Sequence, residues 1–279
     1  SANVAYDIRT ATQVGLSASI HAVNQAKVMQ RIADVIKHIE PNDSPERFQK
    51  LGVEIIFSTA KFIDAKTLSA DDRTITARHF VLATGTRPAI PDIVGLDTVD
   101  YLTHETIFTI KEDISHLIIV GGGAIACELG QSFSRLGATV TLIARSGLLA
   151  KEDDDIAGVI ERQFELEGIN VHSNNEVEQV IKTEHGLAIQ LNDADSTTIE
   201  GSHLLIATGR QPNIEALGLE QAGVDIEHGQ LMLDRRLRTS NRRIFACGDV
   251  AGPHLFTHMA EHQAGVVLRN TLFHLPTKV

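Results

Sequence analysis

One stretch constrains the fold more than any other, and it covers residues 117–145, reading LIIVGGGAIACELGQSFSRLGATVTLIAR. Four apolar residues lead into a cluster of three glycines, an amphipathic segment follows as far as Gly137, and a second apolar run closes the stretch. This order predicts strand, tight turn, helix and strand, which is the βαβ unit that binds dinucleotides. The alternative interpretation is an ordinary glycine-rich turn.

Both the glycine cluster and the helix after it are expected to contribute to phosphate binding. Gly121 allows the tight turn, Gly122 follows it, and Gly123 lets a pyrophosphate approach the backbone without meeting a Cβ atom. Ala126 stands where a small residue lets the helix lie close to the strand. The helix N-terminus offers free N–H groups and a partial positive charge to the phosphates. We therefore predict a dinucleotide site at these four residues.

The end of the second strand indicates which dinucleotide binds. NAD-binding units usually place an acidic residue there, where it bonds the ribose 2′-OH group. This chain instead has Ala144, followed by Arg145 and Ser146, with Lys151 a few residues further on. A missing acid and two cations favour the additional 2′-phosphate of NADP(H). The alternative is that Arg145 and Lys151 are solvated surface charges.

Composition narrows the class of protein. A chain of 279 residues is long enough for about two domains. It has 25 basic and 36 acidic residues, a net charge of −11 with no basic cluster, which argues against binding to nucleic acid or an anionic membrane. No apolar run approaches the roughly 18 residues of a membrane span, and no signal peptide opens the sequence. Two cysteines without a CxxC-type motif favour a reduced, cytoplasmic setting.

Periodicity and turn residues predict the remaining elements. Helices show apolar residues at a spacing of three and four, whereas strands alternate apolar and polar residues or form short apolar runs. Helices are predicted at 2–16, 28–39, 45–51, 154–167 and 257–273. Strands are predicted at 53–57, 79–82, 169–172 and 244–247, with short strands over 61–77, a β-meander over 177–206 and a connector at 97–113.

A repeated motif indicates two nucleotide-binding lobes. Two apolar strands end in Ala-Thr-Gly with a basic residue and a proline beyond, VLATGTRP at 81–88 and LLIATGRQP at 204–212. Ligands of open α/β sheets bind beyond the carboxyl ends of strands. Only one glycine-rich βαβ unit occurs, however, and nothing before Val81 supplies a second. The first lobe is therefore expected to be incomplete.

Five segments resemble the motifs of one family and occur in that family's order. They read ATGTRPAIP, IIVGGGAIACELGQSFSRLGATVTL, LLIATGRQPN, RTSNRRIFACGDVAG and FTHMAEHQAG. On these segments the chain resembles the pyridine nucleotide–disulfide oxidoreductases, and most of all their mercuric reductase and dihydrolipoamide dehydrogenase-like members. The resemblance implies a homodimeric flavoprotein that passes a hydride from NAD(P)H to FAD, and then electrons to a redox-active cysteine pair.

The resemblance also implies roles for individual residues. Asp249 would bond the ribitol chain of FAD, and the helix that begins at Thr257 and His258 would point at the flavin ring. Glu128 would lie near the nicotinamide, with Gly209 lining the same pocket. The residues expected to contact FAD are Ala60, Ala83, Thr84, Gly85, Gly248, Asp249, Thr257 and His258.

Three features of the family are not found in this sequence. They are an N-terminal GxGxxG strand for the FAD pyrophosphate, a helix with a CxxxxC disulfide, and a C-terminal interface domain that supplies the dimer contact and a catalytic histidine. Neither Cys127 nor Cys247 matches an active-site cysteine, so no catalytic residue is assigned and both are expected to be buried as small apolar residues. We expect the chain to be the middle of a longer flavoenzyme and to be inactive alone.

A metal site is the competing interpretation of three histidines. His254, His258 and His262 are spaced four apart, so on one helix they would share a face. Pro253 precedes the expected helix start, which places His254 outside the helix, and no carboxylate or thiolate completes the set. We therefore predict no metal site.

These observations predict an α/β chain with a two-lobed, Rossmann-like FAD/NAD(P)-binding architecture and a β-meander. Residues 1–113 and 240–279 are assigned to a partial FAD-binding domain, and residues 114–239 to an NADP(H)-binding domain. The predicted function is electron transfer from NADPH through FAD to a small-molecule or disulfide acceptor or a metal ion. A non-enzymatic NADP(H)-binding module, or a structural piece without a ligand, remains the alternative.

Overall fold

Two units make up the chain, and the computed structural model describes all 279 residues. The first unit contains Ser1–Ser44 and Pro88–Gly209, and the second contains Pro45–Arg87 and Arg210–Val279. These boundaries differ from the cofactor domains assigned from the sequence. The assignment of 114–239 to NADP(H) and of the flanking residues to FAD stays a prediction.

Six helices and sixteen strands form, and none of the helices has the length and apolar character needed to cross a membrane. The helices are α1 Ala2–Thr10, α2 Gln25–Ile39, α3 Pro45–Lys50, α4 Ala124–Arg135, α5 Asp154–Leu166 and α6 Thr257–Leu272. The strands of the first half are β1 Ala60–Asp64, β2 Thr67–Ala70, β3 Arg73–Thr76, β4 Phe80–Leu82, β5 Thr86–Pro88, β6 His116–Val120, β7 Thr139–Ala144 and β8 Asn170–Ser173. Those of the second half are β9 Val177–Thr183, β10 Gly186–Leu191, β11 Thr198–Gly201, β12 His203–Ile206, β13 Arg210–Pro212, β14 Ile226–Glu227, β15 Gln230–Leu231 and β16 Ile244–Ala246.

A parallel sheet with strand order β12-β6-β7-β8 is the framework of the first unit. Strands β12, β6 and β7 are mostly apolar and buried because both faces are covered, whereas the edge strand β8 reads Asn-Val-His-Ser and is only partly buried. Leu117 and Ile119 face one core together with Phe133 of α4, whereas Ile118 and Val120 face a second core on the opposite side. The predicted strand–turn–helix–strand of 117–145 is confirmed, with β6 paired to β7 from His116 and Thr139 onward.

The predicted β-meander over 177–206 is confirmed for three strands and wrong for the fourth. Strands β9, β10 and β11 form an antiparallel sheet. Strand β12 leaves it and pairs in parallel with β6, Leu204 opposite Ile118. The reason is burial, because Leu204, Leu205 and Ile206 are at most 1% exposed and need cover on both faces.

Two of the sheets in the second unit position its candidate site. Strands β1, β2 and β3 form an antiparallel sheet, and β16 pairs with β4 in parallel. The strand predicted at 53–57 is wrong: the segment is irregular, with Val53 and Phe57 exposed. Its apolar pattern resembles a strand, but no neighbouring strand is present to accept and donate the backbone hydrogen bonds.

Candidate nucleotide-binding sites

The turn between β6 and α4 can be made only by glycine at its first position. The N–H of Gly121 donates to the carbonyl of Ile143 at 2.9 Å, and its φ is +137°. A Cβ atom there would collide with the carbonyl oxygen of Ala207, the residue that follows β12. The ends of β6, β7 and β12 therefore meet at this glycine.

The next two glycines have different surroundings. A Cβ atom on Gly122 would collide with the carbonyl oxygen of Gly147 and lie 2.8 Å from Cβ of Ala144. Gly123 has nothing within 4 Å of a Cβ position, and it begins α4 with no side chain capping the helix. The exposed N-terminus of α4 is therefore open to an approaching anion, as a pyrophosphate would require.

Close packing of α4 on the sheet depends on two small residues. Ala126 is fully buried. A Cβ atom on Gly130 would lie 3.2 Å from both Ile119 and Leu142 side chains, which is tighter than ordinary contact. Gly130 was not predicted from the sequence, although its place one turn after Ala126 on the same helix was a usable signal.

The candidate residues for the 2′-phosphate follow the end of β7. Ala144 is buried, whereas Arg145, Ser146 and Lys151 are exposed. The Arg145 side chain is 79% exposed, and its Nε lies 3.7 Å from Oε1 of Glu176. A ligand that approached this edge would meet the solvent-exposed guanidinium group of Arg145. The position at the end of β7 where NAD-binding units carry an acidic residue is occupied by buried Ala144.

The two residues expected near a nicotinamide lie in the same unit. Glu128 is exposed on α4, and Gly209 is exposed with a φ of +134°. The motif after β12 is held in place because the N–H of Ala207 donates to Val120 at 2.8 Å and the hydroxyl of Thr208 donates to Ala89 at 2.7 Å.

In the second unit, strands β4 and β16 end side by side and carry the other candidate motif. The N–H of Cys247 donates to the carbonyl of Leu82 at 3.0 Å, so Ala83 and Gly248 follow adjacent strand ends. Oδ2 of Asp249 forms an ion pair with Nη1 of Arg210 at 2.9 Å and accepts a hydrogen bond from the Thr86 hydroxyl at 3.4 Å.

Asn213 clamps the turn of the first Ala-Thr-Gly motif. Its N–H donates to Gly85 at 3.0 Å and its side-chain amide to the carbonyl of Thr84 at 2.9 Å, while the Thr84 hydroxyl donates back to its carbonyl at 2.7 Å. Arg87 makes a bidentate pair with Glu215 at 2.7 and 2.9 Å, which lowers the pKa of Glu215 to about 2. The turn is therefore fixed by residues far along the chain.

Helix α6 begins next to these strand ends. Thr257 is its exposed first residue, and no side chain caps the N-terminus. The His258 ring stacks on Phe256 with centroids 5.4 Å apart. Buried Gln263 accepts a hydrogen bond from the N–H of Gly248 at 2.8 Å, which ties the helix to the end of β16. Ala60, the remaining candidate, is the half-buried first residue of β1.

The histidines do not form a metal-binding cluster, and the cysteines form no disulfide. His254 precedes α6 as predicted, and no group of three or more His, Cys, Asp or Glu residues in the chain lies close enough to hold a metal ion. Cys127 and Cys247 are free and buried, as predicted. Burial, with a smaller effect of Glu128, raises the pKa of Cys127 to about 11, and burial also raises the pKa of Cys247.

The candidate residues divide between the units without exception. Those expected to contact NADP(H) all lie in the first unit, and those expected to contact FAD all lie in the second. Most residues of each set follow the carboxyl ends of parallel strands, where ligands of α/β sheets bind. The others lie on α4 (Ala126, Glu128), at the start of β1 (Ala60) and at the start of α6 (Thr257, His258). The fold is a Rossmann-like α/β architecture of the class that includes FAD- and NAD(P)-binding proteins.

Comparison with known proteins identifies the family. Residues 7–264 match the family model described as pyridine nucleotide-disulphide oxidoreductase, and the chain belongs to that family. Family members depend on FAD and NAD(P)H, and they are oxidoreductases.

Similar proteins are long relative to this chain. A mercuric reductase of Staphylococcus aureus is 34% identical over 261 residues, which is 92% of this chain and 48% of the relative. A mycothione reductase of Mycobacterium tuberculosis is 35% identical over 278 residues, 98% of this chain and 60% of the relative. A solved structure, the Cu(II) complex of the HOCl-induced flavoprotein disulfide reductase RclA from Escherichia coli, matches with a TM-score of 0.81 and 27% identity, covering 90% of this chain and 58% of that one. The chain thus spans about half the length of the curated relatives it matches.

Proposed function

We propose that the protein to which this chain belongs passes electrons from NADPH through FAD to a disulfide, a metal ion or another acceptor. The observation that carries the proposal is the division of candidate residues between two units, with most of each set at the carboxyl ends of parallel strands. Membership of a family of FAD- and NAD(P)H-dependent oxidoreductases supports the same reaction class.

The first unit supplies what NADP(H) needs. Open space beyond Gly123, at the uncapped start of α4, suits the pyrophosphate. Arg145, Ser146 and Lys151 would hold the 2′-phosphate, because all three are exposed at or after the end of β7 and two are cations. Glu128 and Gly209 would face the nicotinamide half of the molecule.

The second unit supplies groups that suit part of FAD. Asp249 is anchored by Arg210 and Thr86 at the strand ends, where it would bond a ribitol hydroxyl. The uncapped N-terminus of α6 would stabilise negative charge on the isoalloxazine ring. FAD, when bound, supplies the chemistry of accepting a hydride and passing electrons onward, whereas these residues bind and orient it.

The electron acceptor is proposed by chemical class. Both cysteines are buried with raised pKa values, so neither presents a thiolate to an acceptor. Mercuric reductases and a flavoprotein disulfide reductase are among the similar proteins, and their names give a metal ion and a disulfide as acceptors. We carry both classes over as candidates, together with the predicted homodimer and cytoplasmic setting.

The decisive experiment uses the product of the complete gene. We expect it to contain bound flavin, and we expect NADPH added without oxygen to bleach the flavin absorbance. Hg(II) and low-molecular-weight disulfides are then offered as acceptors. A product that binds NADPH but never contains flavin would contradict the proposal.

A non-enzymatic NADP(H)-binding module is the second candidate. It is favoured by a specific observation: these 279 residues contain one glycine-rich strand–turn–helix and no CxxxxC pair. A CxxxxC pair encoded elsewhere in the same gene supports the reductase, whereas a gene product limited to this chain supports the module.

A further inference from the structure

An acidic side chain lies beside the end of β7, and it comes from the segment that follows the neighbouring strand β8. Strands β7 and β8 are paired in parallel with Ala144 opposite Ser173, so both end at the same edge of the sheet. Three residues after Ser173, Glu176 brings a carboxylate oxygen to 3.7 Å from Nε of Arg145. A negative charge thus stands beside the cation proposed to recognise the 2′-phosphate.

The backbone fixes Glu176 in this place. The N–H of Asn174 donates to the carbonyl of Ala144 at 2.8 Å, which ties the segment after β8 to the end of β7. The N–H of Asn192 donates to the carbonyl of Glu176 at 2.9 Å, and the side chain of Asn175 donates to Ser173 at 3.0 Å. The side chain of Glu176 is 56% exposed, so a bound nucleotide and solvent can both reach it.

We infer that Glu176 is a specificity-determining residue that weakens the preference for NADPH over NADH by competing with the 2′-phosphate for Arg145. The inference rests on the proposed NADP(H) site. A 2′-phosphate must displace the carboxylate from the guanidinium or remain beside it, whereas NADH carries no charge at that position. Exposed ion pairs are weak, so the effect is a modest tuning of cofactor choice.

The test is calorimetric titration of NADPH and NADH into the unaltered chain and into Glu176→Gln. We expect Glu176→Gln to tighten NADPH about two- to fivefold and to leave NADH within about twofold. Glu184→Gln is the matched control, because it removes the same charge at the exposed turn that joins β9 and β10. The gain should fall in about 1 M salt, where the Debye length is about 3 Å.

A double substitution shows whether Arg145 carries the effect. In the Arg145→Ala chain, Glu176→Gln should gain less than half of what it gains beside Arg145. An equal gain in both backgrounds, an equal gain in the Glu184→Gln control, or no gain at all overturns the inference while leaving the proposed function intact. Failure of the unaltered chain to bind either nucleotide overturns the proposed NADP(H) site, and the inference with it.

Discussion

Among single residues, Arg145 is the side chain on which we expect the choice between NADPH and NADH to depend. A charge-assisted hydrogen bond to phosphate contributes about 1.5–3 kcal/mol, so Arg145→Ala should weaken NADPH binding roughly tenfold to a hundredfold and barely change NADH binding. Calorimetry with both nucleotides measures this. Arg162→Ala, on the exposed face of α5, is the control. Equal affinity of the unaltered chain for NADPH and NADH would contradict this prediction.

Two glycines of the same turn should respond differently to alanine. At Gly121 a methyl group collides with Ala207 and the backbone lies at positive φ, so Gly121→Ala should lower the melting temperature of the chain. At Gly123 the space is open, so Gly123→Ala should fold normally but weaken NADPH binding at least about tenfold, because its methyl group would occupy the position proposed for the pyrophosphate.

Thermal melting and calorimetry on the two variants separate these effects. Gly158→Ala, in α5 with nothing near its Cβ position, serves as the control for both measurements. A Gly123→Ala chain that binds NADPH as tightly as the unaltered chain would show that no phosphate lies over this residue.

The roles of residues that belong to a short sequence motif could be predicted from the sequence. The roles of residues that act through contacts with distant parts of the chain could not. Gly121 and Gly123 belong to a motif of adjacent positions, so spacing alone indicates their roles. Glu176 lies 31 positions after Arg145 along the chain, and only the pairing of β7 with β8 brings the two together. The pairing of Arg210 with Asp249 depends in the same way on a fold that the sequence does not display.

At the scale of the element, a buried ion pair holds α4 and α5 together. Glu167 accepts hydrogen bonds from Arg135 at 2.7 Å, and the two side chains are only 7% and 15% exposed. The Tyr6 ring of α1 lies 4.2 Å from the same guanidinium group. Burial alone raises the pKa of Glu167, but the hydrogen bonds from Arg135 and two glutamines leave that pKa lowered.

Arg135→Leu should therefore destabilise the first unit by about 3–5 kcal/mol, because it leaves a buried carboxylate without its partner. Urea unfolding measures the loss, and hydrogen exchange should show weaker protection of the amides in α1. Arg162→Leu is the exposed control. An Arg135→Leu chain with unchanged stability would mean that the pair contributes nothing beyond the packing of its aliphatic stems.

The amino ends of β6 and β12 should make stability depend on pH. Burial lowers the pKa of His116, which bonds Thr141 at 3.0 Å, and burial also lowers the pKa of His203, which bonds Ser202 at 2.9 Å. A lowered folded-state pKa means that the unfolded chain binds protons first. The stabilisation is thus complete above the unfolded pKa of about 6.5 and is lost as pH falls through the folded value.

Replacing His116 and His203 by Asn should flatten this dependence. We expect the free energy of unfolding to fall less steeply between about pH 8 and about pH 5 in the double variant than in the unaltered chain. Urea titrations across this range give the slopes. His185→Asn, in an exposed turn, should keep the original slope. Identical slopes in all three chains would contradict the assignment.

Elements were predictable where their signal is local. The βαβ unit was found because apolar runs, glycines and helical spacing all occur within 117–145. The strand expected at 53–57 was wrong because a strand exists only when another strand pairs with it, and pairing is not encoded in the segment itself. The departure of β12 from the meander was missed for the same reason, since β6 lies more than 80 positions earlier.

For the molecule as a whole, we expect each tightly bound dinucleotide to need its own phosphate-binding site, formed by a glycine-rich strand–turn–helix. These 279 residues contain one glycine-rich strand–turn–helix, and it lies in the unit that carries the NADP(H) candidates. The unit with the FAD candidates offers Asp249, the turn at Gly85 and the start of α6, but no second cradle for a pyrophosphate.

The purified 279-residue chain should therefore bind one NADPH and retain no FAD. Each charged hydrogen bond missing from a pyrophosphate costs about 1.5–3 kcal/mol, and losing several together lowers affinity by many powers of ten. Absorbance after gel filtration with added FAD measures retention, and calorimetry gives the NADPH stoichiometry. A longer product of the same gene that carries a second glycine-rich strand–turn–helix is the matched control, and it should remain yellow. A yellow 279-residue chain, or NADPH-dependent reduction of Hg(II) or a disulfide by that chain alone, would show that the groups at Asp249 and α6 hold FAD without a second cradle.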